Sequence, residues 1–251
     1  MVPKIIHYVW LGRGKKSPSV KRCIRSWKKV MPDYEIKEWN ETNFDVNSIA
    51  WVKEAISVSK WALASDCIRL YVLYKYGGIY MDTDVMTYKP FDEFLKYDFF
   101  TSVKYHPSGF VPGKDVDENG LPKPGVQRVA NLGLLSATFA AAPGNPFIKD
   151  CLDHYLNNHF IRKDGSLDMD FIIPGVMAMN AVKYGFRFFD KTQKLDHNMI
   201  VLDSSFFASD SHTRTPESYS MHFVDHSWVK KTRMRKFKDF IKSSFPWWFR
   251  R

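Results

Sequence analysis

The sequence predicts an α/β fold built on a mixed, largely parallel central sheet. Three observations carry that expectation. An apolar, β-branched and aromatic run at residues 5–11 is followed by a helical pattern at 19–30 and a second strand-like run at 34–39. A long apolar-periodic helix at 61–76 passes through Gly77-Gly78 into a short buried run at 79–81. Strand-helix-strand order of this kind places helices over a parallel sheet. Finally, 45% of the 251 residues are apolar, enough for a substantial core.

Each element has a local cause. The first strand ends at Gly12-Arg13-Gly14, and the following helix is stopped by Pro32. In the helix at 61–76, Leu63, Cys67, Leu70, Tyr71 and Tyr74 recur at helical spacing. Glycine at its C-terminus is the residue that leaves a helix most easily. Residues 105–127, rich in Pro, Gly and charge, read as a long excursion, and such loops are usually functional or mobile. Beyond it the pattern gives a strand near 132–137 and helices near 146–157 and 176–184. Strands follow near 186–189, 200–202 and 221–224. No internal repeat or low-complexity segment is visible.

Charge divides the chain into a catalytic-sized body, residues 1–228, and a basic tail, residues 229–251. The tail holds nine Lys or Arg and one acid, Asp239, so +8 of the formal +10 lies there and +2 on the remainder. A near-neutral body argues against a nucleic-acid binder. Within the tail, Met234, Phe237, Phe240 and Ile241 share one helical face between basic residues, and Trp247, Trp248 and Phe249 follow Pro246. That composition suits an anionic membrane surface. Cys23, Cys67 and Cys151 are odd in number and lack metal-ligand spacing, so free buried thiols in a reducing compartment are expected. The opening residues carry no leader-like run, and the apolar run at 171–182 is short and broken by Pro174-Gly175. A cytoplasmic chain is expected, its tail either held at the inner face of the cell membrane or packed as a solvated helix on the body.

The chemistry concentrates at Asp82-Thr83-Asp84, just after the short strand. Ligands of open α/β sheets gather at the carboxyl ends of strands. Two carboxylates two residues apart there can reach one hard cation, Mn²⁺ or Mg²⁺, which prefers oxygen donors and phosphate partners. On the preceding helix, Asp66 and Arg69 are three apart and project about 60° from each other. They either form a simple intrahelical ion pair or face the same crevice and hold sugar hydroxyls by charge-assisted bonds.

Taken together, Ala64-Ser65-Asp66-Cys67-Ile68-Arg69, Leu73 and Gly77 to Asp84 resemble the signature of glycosyltransferase family 32. The opening at Pro3 to Gly12 is similar to that family's first strand, and His222-Phe223 with Ser227-Trp228 to its C-terminal motif. The family includes bacterial polysaccharide glycosyltransferases and yeast mannosyltransferases, and its sugar-binding region resembles that of the clostridial glucosylating toxins. The resemblance implies a GT-A fold and retention of configuration. It implies that Trp10 stacks on the nucleotide base and that Asp66 and Arg69 grip the donor sugar. On the same resemblance Asp82 would contact ribose and metal, Asp84 would ligate the metal, and His222 would be a further ligand or diphosphate contact. The resemblance further implies that Ser227 and Trp228 close over the diphosphate and that Asn131 touches the donor sugar. Pro174-Gly175 reverses the Gly-Pro order of that family.

The function expected is metal-dependent hexosyl transfer from a nucleotide sugar, UDP-linked in the first instance. The acceptor is a glycan or lipid-linked glycan of bacterial surface polysaccharide or capsule synthesis. The catalytic set is Asp66, Arg69 and Asp84. Two rival classes share the Asp-x-Asp pattern or the sugar site: an aspartate-nucleophile phosphatase and a sugar-binding module without turnover. An EF-hand-like start at Asp115, Asp117 and Asn119 has Val126 where a Glu is required and reads as a polar turn.

Overall fold

A computed structural model describes residues 1–170 and 172–223. Seven strands form the central sheet in the order β2-β1-β3-β6-β5-β8-β7. They are β1 (Ile5–Val9), β2 (Glu35–Trp39), β3 (Gly78–Met81), β5 (Phe99–Tyr105), β6 (Leu132–Ala141), β7 (Gln193–Leu195) and β8 (Met199–Leu202). Pairings β1–β2, β1–β3 and β5–β8 are parallel, and β3–β6, β5–β6 and β7–β8 are antiparallel. Five strands therefore run one way, and β6 and β7 run against them. A second, three-stranded sheet joins β4 (Val85–Thr87), β10 (Ser220–His222) and β9 (Phe207–Ala208).

The period-two alternation of strand side chains sorts the core into two layers. Tyr80 and Phe99 pack on one face with α2 (Ala50–Ser57), α3 (Trp61–Tyr76), α4 (Pro146–Leu156) and α5 (Ile173–Ala181). Ile6, Tyr8, Ile79, Met81 and Phe100 face the other side. That side is covered by α1 (Pro18–Val30) and the small sheet. In α1, the Ser17 side chain caps the N-terminus by accepting from Val20 N, Pro18 occupies the first turn, and Val20, Cys23 and Trp27 form the buried stripe. The Trp27 indole N–H donates to Val85 O at 2.7 Å, fixing the small sheet against α1.

Helix α3 keeps the expected bounds, but its buried residues are not confined to a stripe. Asp66 and Arg69 are buried with Leu63, Ala64, Cys67, Ile68, Leu70, Val72 and Leu73. Two expectations change. The run 186–189 forms no strand: Phe186 N donates to Ala181 O and Phe188 N to Gly120 O, so its buried rings anchor the excursion instead. The helix expected at 176–184 begins at Ile173, and its last turn, Val182–Tyr184, is 3₁₀. All three cysteines are free and buried. Asp117 Oδ1 accepts from the N–H groups of Asn119 and Leu121, a local turn in place of a calcium loop.

The exit from α3 allows no side chain. At Gly78, φ is +107°, and an added Cβ would lie 2.6 Å from Ile5 O and 2.9 Å from His7 Nε2. His7 is itself locked, accepting from the Trp39 indole at 2.9 Å and lying 2.8 Å from Gly77 O. Gly78→Ala should therefore lower unfolding free energy by about 3 kcal/mol through backbone strain and overpacking. Chemical denaturation reads this directly, and an unchanged midpoint would refute it.

Candidate active site

Strand β3 ends at Asp82, where the chain turns: Val85 N donates to Asp82 O at 3.0 Å, closing the Asp-Thr-Asp turn. β4 then pairs antiparallel with β10, with His222 opposite Val85. Phe223 N donates to Asp84 O at 3.0 Å. This pairing brings His222 Nε2 to 3.2 Å from Asp84 Oδ1. One ligand atom each from Asp82, Asp84 and His222 lies within 4.8 Å of the others, and all three residues are half-buried. Two carboxylates and an imidazole on the rim of a sheet form an O/N donor set that fits Mn²⁺ or Mg²⁺. Burial disfavours the imidazolium, but the Asp84 carboxylate outweighs it and raises the His222 pKa.

Arg69 organises the other half of the site. Its Nε lies 3.3 Å from Ser65 O. Nη1 meets Ser136 O at 2.9 Å and Asp82 Oδ1 at 3.2 Å. Nη2 meets Ser65 Oγ at 3.1 Å and Asp66 Oδ1 at 3.0 Å. Those five contacts match the five N–H donors of a guanidinium. Its carbon stands 4.4 Å from the Tyr80 ring centroid, and the Tyr80 hydroxyl donates to Asp82 Oδ1 at 3.0 Å. Burial opposes the Arg69 charge, yet Asp82 and its neighbours hold it more firmly protonated than usual.

A bulge in β6 makes this arrangement possible. The β5–β6 register jumps between Thr101 and Val103, leaving extra β6 residues unpaired. The freed carbonyls all find partners. Ser136 O takes Arg69, Ala137 O accepts Asp82 N at 2.8 Å, and the Thr101 hydroxyl sits 2.7 Å from Leu135 O and 2.9 Å from Thr138 O.

Asp66 is 7% exposed and gives both oxygens to protein groups: Oδ1 to Arg69, and Oδ2 to Ile173 N, the first N–H of α5, at 3.3 Å. The Asp66–Arg69 pair is thus a buried link between helices as well as an intrahelical contact. Trp10 follows β1 at the same sheet edge as Asp82. It is half-buried, its indole donates to Gly14 O at 2.7 Å, and Lys16 Nζ stands 5.2 Å from its ring. Asn131 lies apart from the three-residue cluster, in the pocket of Lys104 and Arg128, with φ +60° and its amide donating to Gly109 O at 2.7 Å. Ser227, Trp228 and the tail lie outside the described residues. Sequence reasoning missed Tyr80 and Ser65. Strand alternation was the available signal for Tyr80, because it puts that side chain on the face of Asp82 two residues on.

Residues 17–101 match the family model described as "Glycosyltransferase sugar-binding region containing DXD motif". This stretch, about a third of the chain, is similar to a glycosyltransferase sugar-binding region. It contains Asp66, Arg69, Asp82 and Asp84 and ends before His222. Inositol phosphoceramide mannosyltransferase 3 of Schizosaccharomyces pombe is 32% identical over 103 residues, covering 38% of this chain and 28% of that protein. Inositol phosphoceramide mannosyltransferase 1 of the same organism is 26% identical over 119 residues, 43% of this chain and 36% of that protein. The chain therefore spans about a third of the length of these curated relatives. Among solved structures, PaToxG Glycosyltransferase superposes with a TM-score of 0.50 at 18% identity, over 72% of this chain and 69% of its own. The fold is GT-A, as the resemblance implied.

Burial lifts the Asp66 carboxyl to about 6, against the opposing pull of Arg69. A carboxyl whose folded pKa is raised contributes stability that is complete below its unfolded value of 3.8 and lost as pH rises through about 6. Asp66→Asn removes that dependence. The stability of the native chain relative to Asp66→Asn should fall by about 3 kcal/mol between pH 3.5 and pH 7. Urea unfolding across that range tests it, and a pH-independent difference would contradict the assignment.

Proposed function

We propose that this chain is a retaining, divalent-metal-dependent glycosyltransferase that uses a nucleotide-sugar donor. The observation that carries the reading is the joint placement of Asp82, Asp84 and His222 around one point, with the Asp66–Arg69 pair directly behind Asp82. Asp82, Asp84 and His222 would hold Mn²⁺ or Mg²⁺, whose chemistry at such a site is neutralisation of a diphosphate leaving group. Asp84, already beside His222, is the firmer ligand, and Asp82 is shared between ribose and metal. Arg69 acts chiefly through Asp82, because its N–H groups are committed to protein acceptors. A sugar hydroxyl would have to take the place of one of them. Trp10, just after β1, would stack on the base, and the family resemblance assigns Ser227 and Trp228 to the diphosphate.

Retention is what the resemblance to family 32 implies, and the state of Asp66 then favours same-face transfer over a covalent intermediate at that carboxylate. Asp66 is enclosed and doubly bonded, so it cannot serve as an exposed covalent nucleophile. In a same-face transfer, the bond from the anomeric carbon to the diphosphate oxygen breaks as the acceptor oxygen bonds to that carbon. The acceptor proton passes to the departing diphosphate oxygen. The fixed positive charge of Arg69 and the firmly set Asp82 are preorganised for that charge development. The same commitment of Asp82 Oδ1 to Arg69 and Tyr80 disfavours its use as a phosphatase nucleophile.

Hexose donors on UDP and GDP both belong in the first screen. The relatives named for mannosyl transfer put mannose in that screen. We place the acceptor among glycans or lipid-linked glycans of a bacterial surface polysaccharide, with the enzyme on the cytoplasmic side. No helix among the described residues is long and apolar enough to cross a membrane. On its composition, the basic tail is assigned the membrane contact.

Asp84→Asn should reduce Mn²⁺-dependent donor hydrolysis and transfer by at least a hundredfold, even at saturating metal. Near-normal turnover by that variant would sink the metal-site reading. Donor affinity without any metal-stimulated release of nucleoside diphosphate from the native chain would point to a binding module. Removing residues 229–251 should release the protein from vesicles containing anionic phospholipid, as judged by co-sedimentation. Unchanged sedimentation would remove the tail from the membrane role.

A further inference from the structure

A pocket of about 120 Å³ adjoins the candidate site, and the chemistry proposed above leaves it unused. Lys104, His106, Arg128, Asn131 and the first turn of α5 at Pro174-Gly175 line it. Lys104 lies on β5 opposite Gly133 of β6. Gly133 precedes Ser136, the carbonyl that holds Arg69, by three residues, or about 10 Å of strand. Lys104 is also close enough to Asp82 and His222 to interact with both electrostatically. The pocket therefore opens beside the point where a donor sugar would sit.

Its two cations are unbalanced. Lys104 is half-buried, and burial together with the Arg128 charge lowers its pKa. Neither the Lys104 ammonium nor the Arg128 guanidinium makes a hydrogen bond or ion pair with another described residue. Two carboxylates are within electrostatic reach of Lys104, and both are engaged elsewhere: Asp82 by Arg69 at 3.2 Å and Tyr80 at 3.0 Å, and Asp210 by His106 at 3.0 Å and the N–H of His212 at 2.8 Å. The Arg128 side chain is nonetheless placed. A Cβ added at Gly175 would stand 3.3 Å from both its Cγ and Cδ, so the bare glycine provides the surface along which the arginine stem lies. Two like charges directed into one pocket repel until an anion joins them, and a Lys–Arg pair suits phosphate oxygens well. Past Arg128, Ile172 and Gly175 the pocket continues as a groove lined by Met169, Val176 and Met179, a path for the remainder of a larger molecule.

We propose that Lys104 and Arg128 form an anion subsite that takes a phosphate group of the acceptor, held beside the donor sugar. This rests on the glycosyltransferase reading for the word acceptor, but the anion site itself does not. The same two cations could otherwise serve the diphosphate of the donor, and the test separates these sources.

Inorganic phosphate is titrated into ¹⁵N-labelled full-length chain, alone and after saturation with Mg²⁺ and UDP or GDP. Amide shifts of Lys104, Arg128 and Gly133 are followed. Saturable phosphate binding is expected in both arms. Lys104→Gln and the surface variant Arg128→Gln should each raise the phosphate Kd tenfold or more, with nucleotide Kd within twofold of native. Preserved amide dispersion confirms that both variants are folded. Absence of saturable shifts, or shifts that survive both substitutions, would overturn the subsite. Displacement of phosphate by nucleotide, with weaker nucleotide binding in the same variants, would overturn the acceptor assignment and give the cations to the donor. Phosphate binding without any nucleotide binding would support the subsite while refuting the donor reading.

Discussion

The buried guanidinium of Arg69 is the interaction on which this site depends. It ties α3, the bulge of β6 and the end of β3 to one plane of five N–H groups. A buried charge is costly unless it is fully hydrogen-bonded and paired. Here the two carboxylates, two carbonyls and one hydroxyl that satisfy it are also the groups that must be positioned for chemistry. Removing the arginine would leave Asp66 and Asp82 facing each other without a counter-charge. Site geometry and local stability are therefore one quantity at this point of the fold.

The remaining wall comes from far along the chain. Asp84 and His222 meet because β4, three residues long, pairs with β10. The small sheet is anchored by the Trp27 indole and by a cluster of Phe91, Phe94, Phe207 and Tyr219 rings. A metal-type donor set thus spans the two sheets: Asp82 leaves the large one, and His222 belongs to the small one. Aromatic packing away from the site sets the distance between its ligands.

What the sequence disclosed follows from the range of the forces involved. Helix α3 was legible to its last residue because its periodicity is long and Gly77-Gly78 ends it. Asp66, Arg69, Asp82 and Asp84 were legible because they lie on that helix or just beyond the strand it feeds. His222 came from the family resemblance, since nothing local couples it to β4. The aromatic run at 186–189 looked like a strand because buried Phe residues favour one, but its backbone partners are loop carbonyls. The converse error hid β5, a central strand that merges without a break into the excursion. The β6 bulge was invisible because register is a property of two strands and not of either one. Lys104 and Arg128 were unremarkable for the same reason: they become a pair only when β5 and the end of the excursion meet over α5.

Asp66 closes the circle between the two sides of the site. One of its oxygens faces the guanidinium behind Asp82, and the other caps the helix whose first turn supports Arg128. A hinge pin shared by two doors transmits load in both directions. Any free-energy coupling between ligands on the two sides that ran through this carboxylate would be equal in both directions. In this fold the two sides of the site share a single carboxylate.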